Sequence, residues 1–477
     1  MIVLLILIPV IAGIISFSLK SGKTARTLSL VASLLTFLAA LGLVLTTKGT
    51  VSLDKDWLPQ IGSSFSLSMD GMAKMLCLLN AVALPLILST TGSEKYSSRP
   101  NFFGLLLLTQ AGMMGVFLAA DVLLFYFFWE LALIPIYFLC SQYGNEKRIQ
   151  ASFKFFIYTF LGSLFLLIGI IYLYLKTPDH SFALDSFYHL SLTKSEQNVG
   201  FWLFFVAFAI KMPVFPLHTW QPDAYEQAPS AGTMVLSAVM VKMGLYAAIR
   251  YVLPIFPEAV LHFNHIIIVF AVIGLLYASF IAIKQDDLKR LIAYSSIAHI
   301  GLMCAAVFSL QQVGMEGVMV QMFNHGVNVL GLWIVASAIE QQTGTRKLSQ
   351  MGGLATKAPA LAILFMIMAL ANVSLPLTNS FIGEFLMFNG LFRYNAWIGA
   401  IACISIILVA IYTLWAMQKM FYGEVSEYTK SAVEAPKNTQ YALIVITIVI
   451  IILGVYPQPL LDLTKDTVQA VLSVKIG

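Results

Sequence analysis

Apolar runs long enough to cross a bilayer, about 20 residues each, follow one another along almost the whole chain. They fall near residues 2–19, 28–46, 72–91, 102–120, 121–142, 149–175, 200–221, 229–252, 260–284, 289–310, 315–340, 359–392, 396–420 and 440–456. The spacing predicts an all-α polytopic membrane protein of about 14 transmembrane helices. The fourth and fifth windows almost abut at Ala120 and Asp121, which predicts a tight hairpin.

Two windows are interrupted. In FWLFFVAFAIKMPVFPLHTWQPDAYE, residues 201–226, Lys211 follows ten uncharged residues and precedes Pro213 and Pro216. The carbonyls of Ala209 and Met212, four residues before each proline, lose their helical donors, so the helix should break. Eleven residues at about 1.5 Å each put Lys211 roughly 16 Å deep, which argues against a lysine that merely snorkels to the surface. The window at 359–392 is too long for one straight helix and contains ANVSLPLTNSFIGE, which predicts a second break around Pro376. These interrupted spans are the fourth members of two consecutive five-helix sets, spans 4 to 8 and 9 to 13. Five is odd, so the second set starts from the opposite side of the membrane, an inverted-topology repeat. The chain then divides into 1–100, the first three helices; 101–255, the first repeat; 256–422, the second; and 423–477, a C-terminal transmembrane helix.

Composition agrees with this pattern: 59% of residues are hydrophobic, mean hydropathy is +0.86 and 11% are charged, against about 25% in an average soluble domain. No polar stretch is long enough to fold as a soluble domain. The net charge of +5 therefore bears on topology rather than on nucleic acid. Seventeen of the 28 basic residues fall in loops after odd-numbered spans and nine in the others, so the richer side is expected to be cytoplasmic with both termini opposite. The first span, which lacks a basic n-region, is expected to be retained. Cys77, Cys140, Cys304 and Cys403 lie far apart in apolar segments and read as buried hydrophobes, not as cluster, zinc or disulfide ligands.

Six ionisable residues remain inside the spans: Glu130, Lys211, Lys242, His299, His325 and Glu384. Each costs a few kcal/mol in a bilayer unless paired or hydrated, and intramembrane charges of this kind ordinarily mark an ion or proton path. A carboxylate at about 4 Å is worth roughly 4 kcal/mol to a lysine at an effective dielectric near 20, so moving it decides whether the lysine keeps its proton. Histidines titrate near neutrality and suit the middle of a relay. Buried ion pairs that only fix packing would explain Glu130 with a lysine but leave Glu384 and two histidines over. Glu384, eight residues beyond Pro376, is expected to hold on the second broken span the place Lys211 holds on the first. HTWQPDAYEQAP, with His218, Trp220 and Asp223, reads as a loop capping the next helix, with a proton entrance as the alternative, and KQDDLKR at 284–290 as a solvated turn. There is no phosphate-binding loop, dinucleotide fingerprint or metal-ligand spacing, so the driving force is expected from a partner or an ion gradient.

At these same residues the chain resembles a known family. FFWELALIPIYFL, FAIKMPVFPLHTWQPDAYEQAPSAG, VKMGLYAAIR, DDLKRLIAYSSIAHIG, FNHGVN, MGGL, NSFIGEF and GVYPQPLLD are similar to the antiporter-like, proton-pumping subunits of respiratory complex I, NADH:quinone oxidoreductase. The resemblance runs from about residue 70 to 465. Glu384, where related chains carry lysine, and LIPIYFL after Glu130 point to the chain M type, the mitochondrial chain 4 type. The departures are PLTNSF before GEF and HGVNVLGLW after the first histidine of its span.

The resemblance implies that Glu130 and Lys211 form the coupling pair of a first half-channel, Lys242 is the central lysine, His299 and His325 continue the polar axis, and Glu384 ends the second half-channel. It implies a translocase subunit with no redox site of its own. No cofactor is expected in this chain; flavin, iron–sulfur clusters and quinone would belong to partner subunits. The partners would be other membrane subunits of complex I, further antiporter-like chains included, together with the lipid bilayer and protons. The expected location is the bacterial inner membrane, multi-pass, with both termini periplasmic, rather than the mitochondrial inner membrane. A subunit of a multisubunit sodium/proton antiporter or of a membrane-bound hydrogenase is the alternative that shares these helices and lysines.

Overall fold

The computed structural model describes residues 1–93 and 96–473; Lys95 and Lys475 of the charge tally lie outside the described residues. Two helices open the chain, α1 (Leu4–Ser18) and α2 (Gly22–Thr46). A small β element follows, in which β1 (Val51–Leu53) pairs antiparallel with β4 (Leu67–Met69) and β2 (Asp56–Leu58) with β3 (Ser63–Ser64). Then come α3 (Gly71–Thr90), α4 (Pro100–Leu118), α5 (Val122–Tyr143) and α6 (Arg148–Tyr174). After the short α7 (Leu184–Tyr188), the first interrupted span consists of α8 (Lys194–Lys211) and α9 (Trp220–Gln227). The next span, Ser230–Ile255, is α10 (Ser230–Val235), a π turn (Leu236–Met240), α11 (Val241–Ala247), a second π turn (Ala248–Val252) and α12 (Leu253–Ile255).

The second set runs α13 (Pro257–Ile283), α14 (Leu288–Phe308), α15 (Gln312–Thr343), the short α16 (Leu354–Lys357), the interrupted pair α17 (Pro359–Asn372) and α18 (Asn379–Tyr394), and α19 (Ala396–Phe421). The chain closes with α20 (Lys437–Val455) and α21 (Gln458–Ser473), an amphipathic helix against α3 and α15 that no apolar window announced. Among the described residues, eleven helices are long and apolar enough to cross a membrane. The other three expected spans coincide with the shorter α1 and the two interrupted pairs.

The two sets repeat one backbone plan. Asp121 caps α5 by accepting from the Leu124 N–H at 2.9 Å, and Asp287 caps α14 by accepting from Arg290 N–H at 3.1 Å. Each aspartate also sits in an isolated antiparallel bridge to the segment before the broken helix, Asp121 with Ala183 and Asp287 with Lys347. The bonds match: Val122 N–H to the Phe182 carbonyl and Leu184 N–H to that of Ala120, then Leu288 N–H to that of Arg346 and Leu348 N–H to that of Asp286. Because an odd number of antiparallel helices separates the two bridges, they lie at opposite faces. The KQDDLKR segment is thus not merely solvated: Asp287 also pairs with Arg346 at 3.1 Å, and the buried Lys289 reaches Glu340 at 2.6 Å.

The breaks match as well. Met212 N–H bonds to the Phe208 carbonyl, Val214 to Ala209 and Leu217 to Val214; Val373 bonds to Ala369, Leu375 to Leu370 and Thr378 to Leu375. The Ala209 carbonyl, deprived by Pro213, is therefore satisfied one residue later, as backbone at membrane depth requires. The first break holds two prolines, whereas the second turns through left-handed Ser374 (φ 59°) and Leu377 (φ 73°). There Gly454 of α20 lies so close that a Cβ would stand 2.1 Å from the Leu377 carbonyl oxygen.

Ser230–Ile255 and Gln312–Thr343 are buried along their whole apolar windows, and α4 and α14 nearly so; around them large apolar side chains face outward, as Ile407, Leu175 and Ile363 do. A bilayer is as apolar as these side chains, so close packing and internal hydrogen bonds, rather than exclusion from water, hold the bundle together.

The Asp287 cap supports a direct test. Burial pushes its carboxyl above the ordinary carboxylate range, opposed by the Arg346 guanidinium and the capping N–H. Asp287→Ala is expected to cost about 1 kcal/mol for the cap and more for the lost ion pair with Arg346, which keeps Glu226 and Glu340, while Asp287→Asn, which caps equally well, should cost less. Thermal melting of the purified protein measures both, and equal losses would show that the ion pair alone matters.

Candidate functional site

The six intramembrane residues do not form one cluster. Four of them make a chain through the centre of the bundle. Lys242 on α11 is fully buried, and its Nζ donates to the Ser237 carbonyl at 2.7 Å and to His325 Nδ1 on α15 at 2.8 Å. The Ser237 carbonyl is available because the π turn 236–240 displaces it from regular helix bonding. When Lys242 carries its proton it can only donate, and His325 then accepts at Nδ1 with its own hydrogen on Nε2; when it is neutral the roles reverse. The His325 and His299 rings are neighbours, with centroids 5.4 Å apart. On α14, His299 Nδ1 stands 2.9 Å from the Oε1 of Glu384, which lies on α18 and faces Gln321 of α15 at 3.5 Å. Lys242 belongs to the first set of helices and the other three residues to the second.

The remaining two behave differently. Lys211, the last residue of α8, is buried with its Nζ 5.4 Å from the centre of the Trp129 ring and without a hydrogen-bond partner among the described residues. Glu130, half-buried on α5, acts on it electrostatically but makes no direct ion pair with it, and its Oε1 is also unpartnered. Trp129 is fixed by its indole N–H to Ser163 Oγ at 3.2 Å. This aromatic platform has no linear signal, since a tryptophan in an apolar run reads as packing.

The backbone register corrects one expectation. Matching the breaks bond for bond places Asn372, the last residue of α17, and not Glu384, at the position of Lys211. Matching the capped helices places Ser295 opposite Trp129 and Ser296 opposite Glu130. The contacts agree, for Lys211 meets Trp129 and Asn372 meets Ser295, with Asn372 Nδ2 donating to Ser295 Oγ at 3.3 Å. The charged pair of the first half is therefore replaced at its equivalent site by neutral residues, and the acid of the second half lies on the far half-helix.

Residues after the first break also differ from expectation. HTWQPDAYEQAP is no capping loop: Trp220–Gln227 is itself helix α9, anchored where the Trp220 indole donates to the Ile210 carbonyl at 3.0 Å. His218 is buried between Phe215 and Tyr277, apart from the central chain. Asp223 pairs with Lys154 at 2.7 Å and Arg290 at 3.2 Å, and Glu226 with Arg290 at 2.8 Å and Arg346 at 3.4 Å. This network ties the end of the first broken span to the second repeat and borders a polar cavity of about 290 Å³ at the surface. Partners so far apart in sequence leave no linear signal. A second cavity of about 420 Å³, apolar and lined by Phe381, Phe385 and Phe388, opens beside Glu384. All four cysteines are free.

Residues 119–410 match the family described as NADH:quinone oxidoreductase/Mrp antiporter, transmembrane. NADH-quinone oxidoreductase subunit M of Rhodobacter capsulatus is 35% identical over 463 residues, covering 94% of this chain and 90% of the relative. F(420)H(2) dehydrogenase subunit M of Methanosarcina mazei is 33% identical, covering 99% and 98%. Among solved structures, a chain of respiratory complex I from Thermus thermophilus superposes with a TM-score of 0.92 at 31% identity over the full length of both chains.

The close approach that brings His325 to Lys242 can be tested by itself. A Cβ on Gly326 would meet the Ala238 carbonyl at 2.8 Å and the Leu79 side chain at 2.7 Å. Gly326→Ala gains about 1 kcal/mol of helix propensity but forces an overpacked contact costing about 1–3 kcal/mol. The melting temperature of the variant is expected to fall; an unchanged or higher value would mean that α15 can move away from the π turn at no cost.

Proposed function

The chain belongs to the NADH:quinone oxidoreductase/Mrp antiporter transmembrane family, and on that premise we propose that it is the chain M type, proton-translocating membrane subunit of an NADH:quinone oxidoreductase. It is a multi-pass membrane protein that works with other membrane subunits of a respiratory complex, and the enzyme of which it is part is a translocase. Flavin, iron–sulfur clusters and quinone are assigned to partner subunits. The four-part division at 101, 256 and 423 is kept as the functional division, with one half-channel in each repeat.

The observation that carries this reading is the buried chain Lys242, His325, His299, Glu384. It runs from an amine whose ammonium form can give up a proton, through two imidazoles that can take one and pass one, to a carboxylate that can receive it. It also crosses from one repeat to the other, as a path between two half-channels must. Lys211 supplies the first half. With no direct carboxylate partner and an aromatic face beneath it, its proton is held by little but the field of Glu130. A small displacement of α5 against α8 then changes whether Lys211 keeps that proton, which is how redox events in a partner subunit would act on it.

Arginine retains the charge but does not release its proton at any working pH. Lys211→Arg is therefore expected to fail nearly as badly as Lys211→Ala, each lowering NADH-driven proton uptake by about a hundredfold in vesicles with matched assembly. Normal pumping by the arginine variant would make Lys211 a counter-ion only. Glu384→Gln should likewise assemble and pump poorly, while Glu384→Asp, which still titrates, should pump better.

For topology, both termini and the 176–198 loop are assigned to the periplasm and 341–358 to the cytoplasm, in a bacterial inner membrane. Single cysteines labelled with an impermeant reagent on intact cells are expected to react at 176–198 and not at 341–358; the reverse pattern would invert the assignment.

A further inference from the structure

A third cavity, of about 310 Å³, opens at the face that carries the Asp121–Ala183 bridge, and the central chain does not use it. Its lining includes Ser66, Ser68, Asp185, Tyr188, Tyr246 and Arg250, so it is polar and large enough to hold a cluster of waters. Tyr246 and Arg250 belong to the span Ser230–Ile255, which also carries Lys242.

Depth shows what these two residues separate. The span ends at this face, where α12 packs against α7. At about 1.5 Å per residue, Arg250 stands roughly 8 Å from the last residue of the span, Tyr246 roughly 14 Å and Lys242 roughly 20 Å. Tyr246 follows Lys242 by one helical turn and Arg250 follows Tyr246 by one more, and every residue from 241 to 249 is buried. Water in the cavity therefore reaches to within about one turn of the central lysine and stops at the Tyr246–Arg250 layer.

That layer is held from several sides. Arg250 Nη2 donates to Asp70 Oδ2 at 2.6 Å, while Oδ1 of the same carboxylate caps α3 by accepting from Ala73 N–H at 3.0 Å. The guanidinium carbon lies 5.5 Å from the centre of the Tyr246 ring, and Tyr188 of α7 donates its hydroxyl to the Arg250 carbonyl at 2.8 Å. The Tyr246 hydroxyl donates to the Phe117 carbonyl at 3.1 Å. Its bonding leaves no group to pass a proton inward, because an arginine keeps its proton throughout the working range of pH and an amide carbonyl has none to hand on. An ion pair that only pinned α3 to this span could give way to apolar side chains at little loss. This one is set on the wall of a cavity that can hold water, between it and the central lysine along the span.

We propose that Arg250 and Tyr246 form a proton barrier that closes the direct way between Lys242 and this face, so that a proton on Lys242 passes to His325 rather than to the water of the cavity. Asp70 and Tyr188 are positioning residues that hold the guanidinium over the tyrosine. This rests on the reading of Lys242 as part of a proton path. A central lysine open to this face as well as to its own path would short-circuit the gradient that the complex builds, and the barrier makes the lateral step through His325 and His299 to Glu384 obligatory.

The test uses the assembled complex in proteoliposomes, with Arg250→Ala, Arg250→His and Lys242→Ala, and with each Arg250 variant combined with Lys242→Ala. Arg250→Ala removes the barrier, whereas Arg250→His keeps a partner for Asp70 but puts a titrating ring where the guanidinium was. The readouts are proton uptake per NADH and the decay of an imposed proton gradient without NADH. Severalfold faster decay and lower uptake per NADH in either Arg250 variant, with electron transfer retained and wild-type decay restored when Lys242→Ala is added, would support the barrier. Wild-type decay in every Arg250 variant that assembles would overturn it. So would a leak that survives Lys242→Ala, since that leak runs elsewhere, and so would loss of assembly in both Arg250 variants, which would assign the residue to packing. Normal pumping by Lys242→Ala alone would instead bring down the underlying path.

Discussion

A bilayer supplies no water to a freed N–H or C=O, and each one left open costs several kcal/mol, so a helix that stops halfway across must close its own ends. Both interrupted spans do so with the same bonds, one of them reaching back five residues. This closure is what permits a lysine at the last turn of α8 and a carboxylate early in α18, because the backbone beside them demands nothing more from the surroundings. The polar side chains nearby remain free for one another. Were the breaks open, Asn372 and the hydroxyls around it would be needed to satisfy backbone.

The two halves use that freedom differently. The first leaves Lys211 without a direct partner above an indole, so its charge responds to a carboxylate that is near but not bonded. The second holds Glu384 against an imidazole at 2.9 Å and fills the lysine's counterpart with neutral groups. Buried pairs of this kind are seldom retained for stability, since well-packed apolar residues often serve as well or better. A lysine without a direct partner in one half and a carboxylate held against an imidazole in the other give opposite chemistries to a molecule whose backbone is nearly symmetric.

Much of this was legible in the chain because hydropathy over twenty residues is a strong signal: most windows end within about three residues of the observed helices. The first break was legible in Pro213 and Pro216. What escaped has a common cause in three dimensions. Glu384 drew attention as the only acid on its span and was equated with Lys211, whereas the backbone register, invisible in sequence, gives that place to the inconspicuous Asn372. KQDDLKR looked solvated because its partners Asp223, Glu226, Glu340 and Arg346 are distant in sequence. The strands between Val51 and Met69 are two or three residues long, too short for alternation to register, and α21 is apolar on one side only, beneath any window set for a membrane span.

The two breaks also differ in who maintains them. Two prolines write the first into the local chain, while the second, with Pro376 alone, also turns through left-handed Ser374 and Leu377, the latter with the backbone of Gly454 pressed against it. Gly454 is on α20, a helix outside both repeats. The bend of the second half is therefore a guest of a neighbouring helix, and damage near the end of the chain would reach the surroundings of Glu384 before it reached those of Lys211.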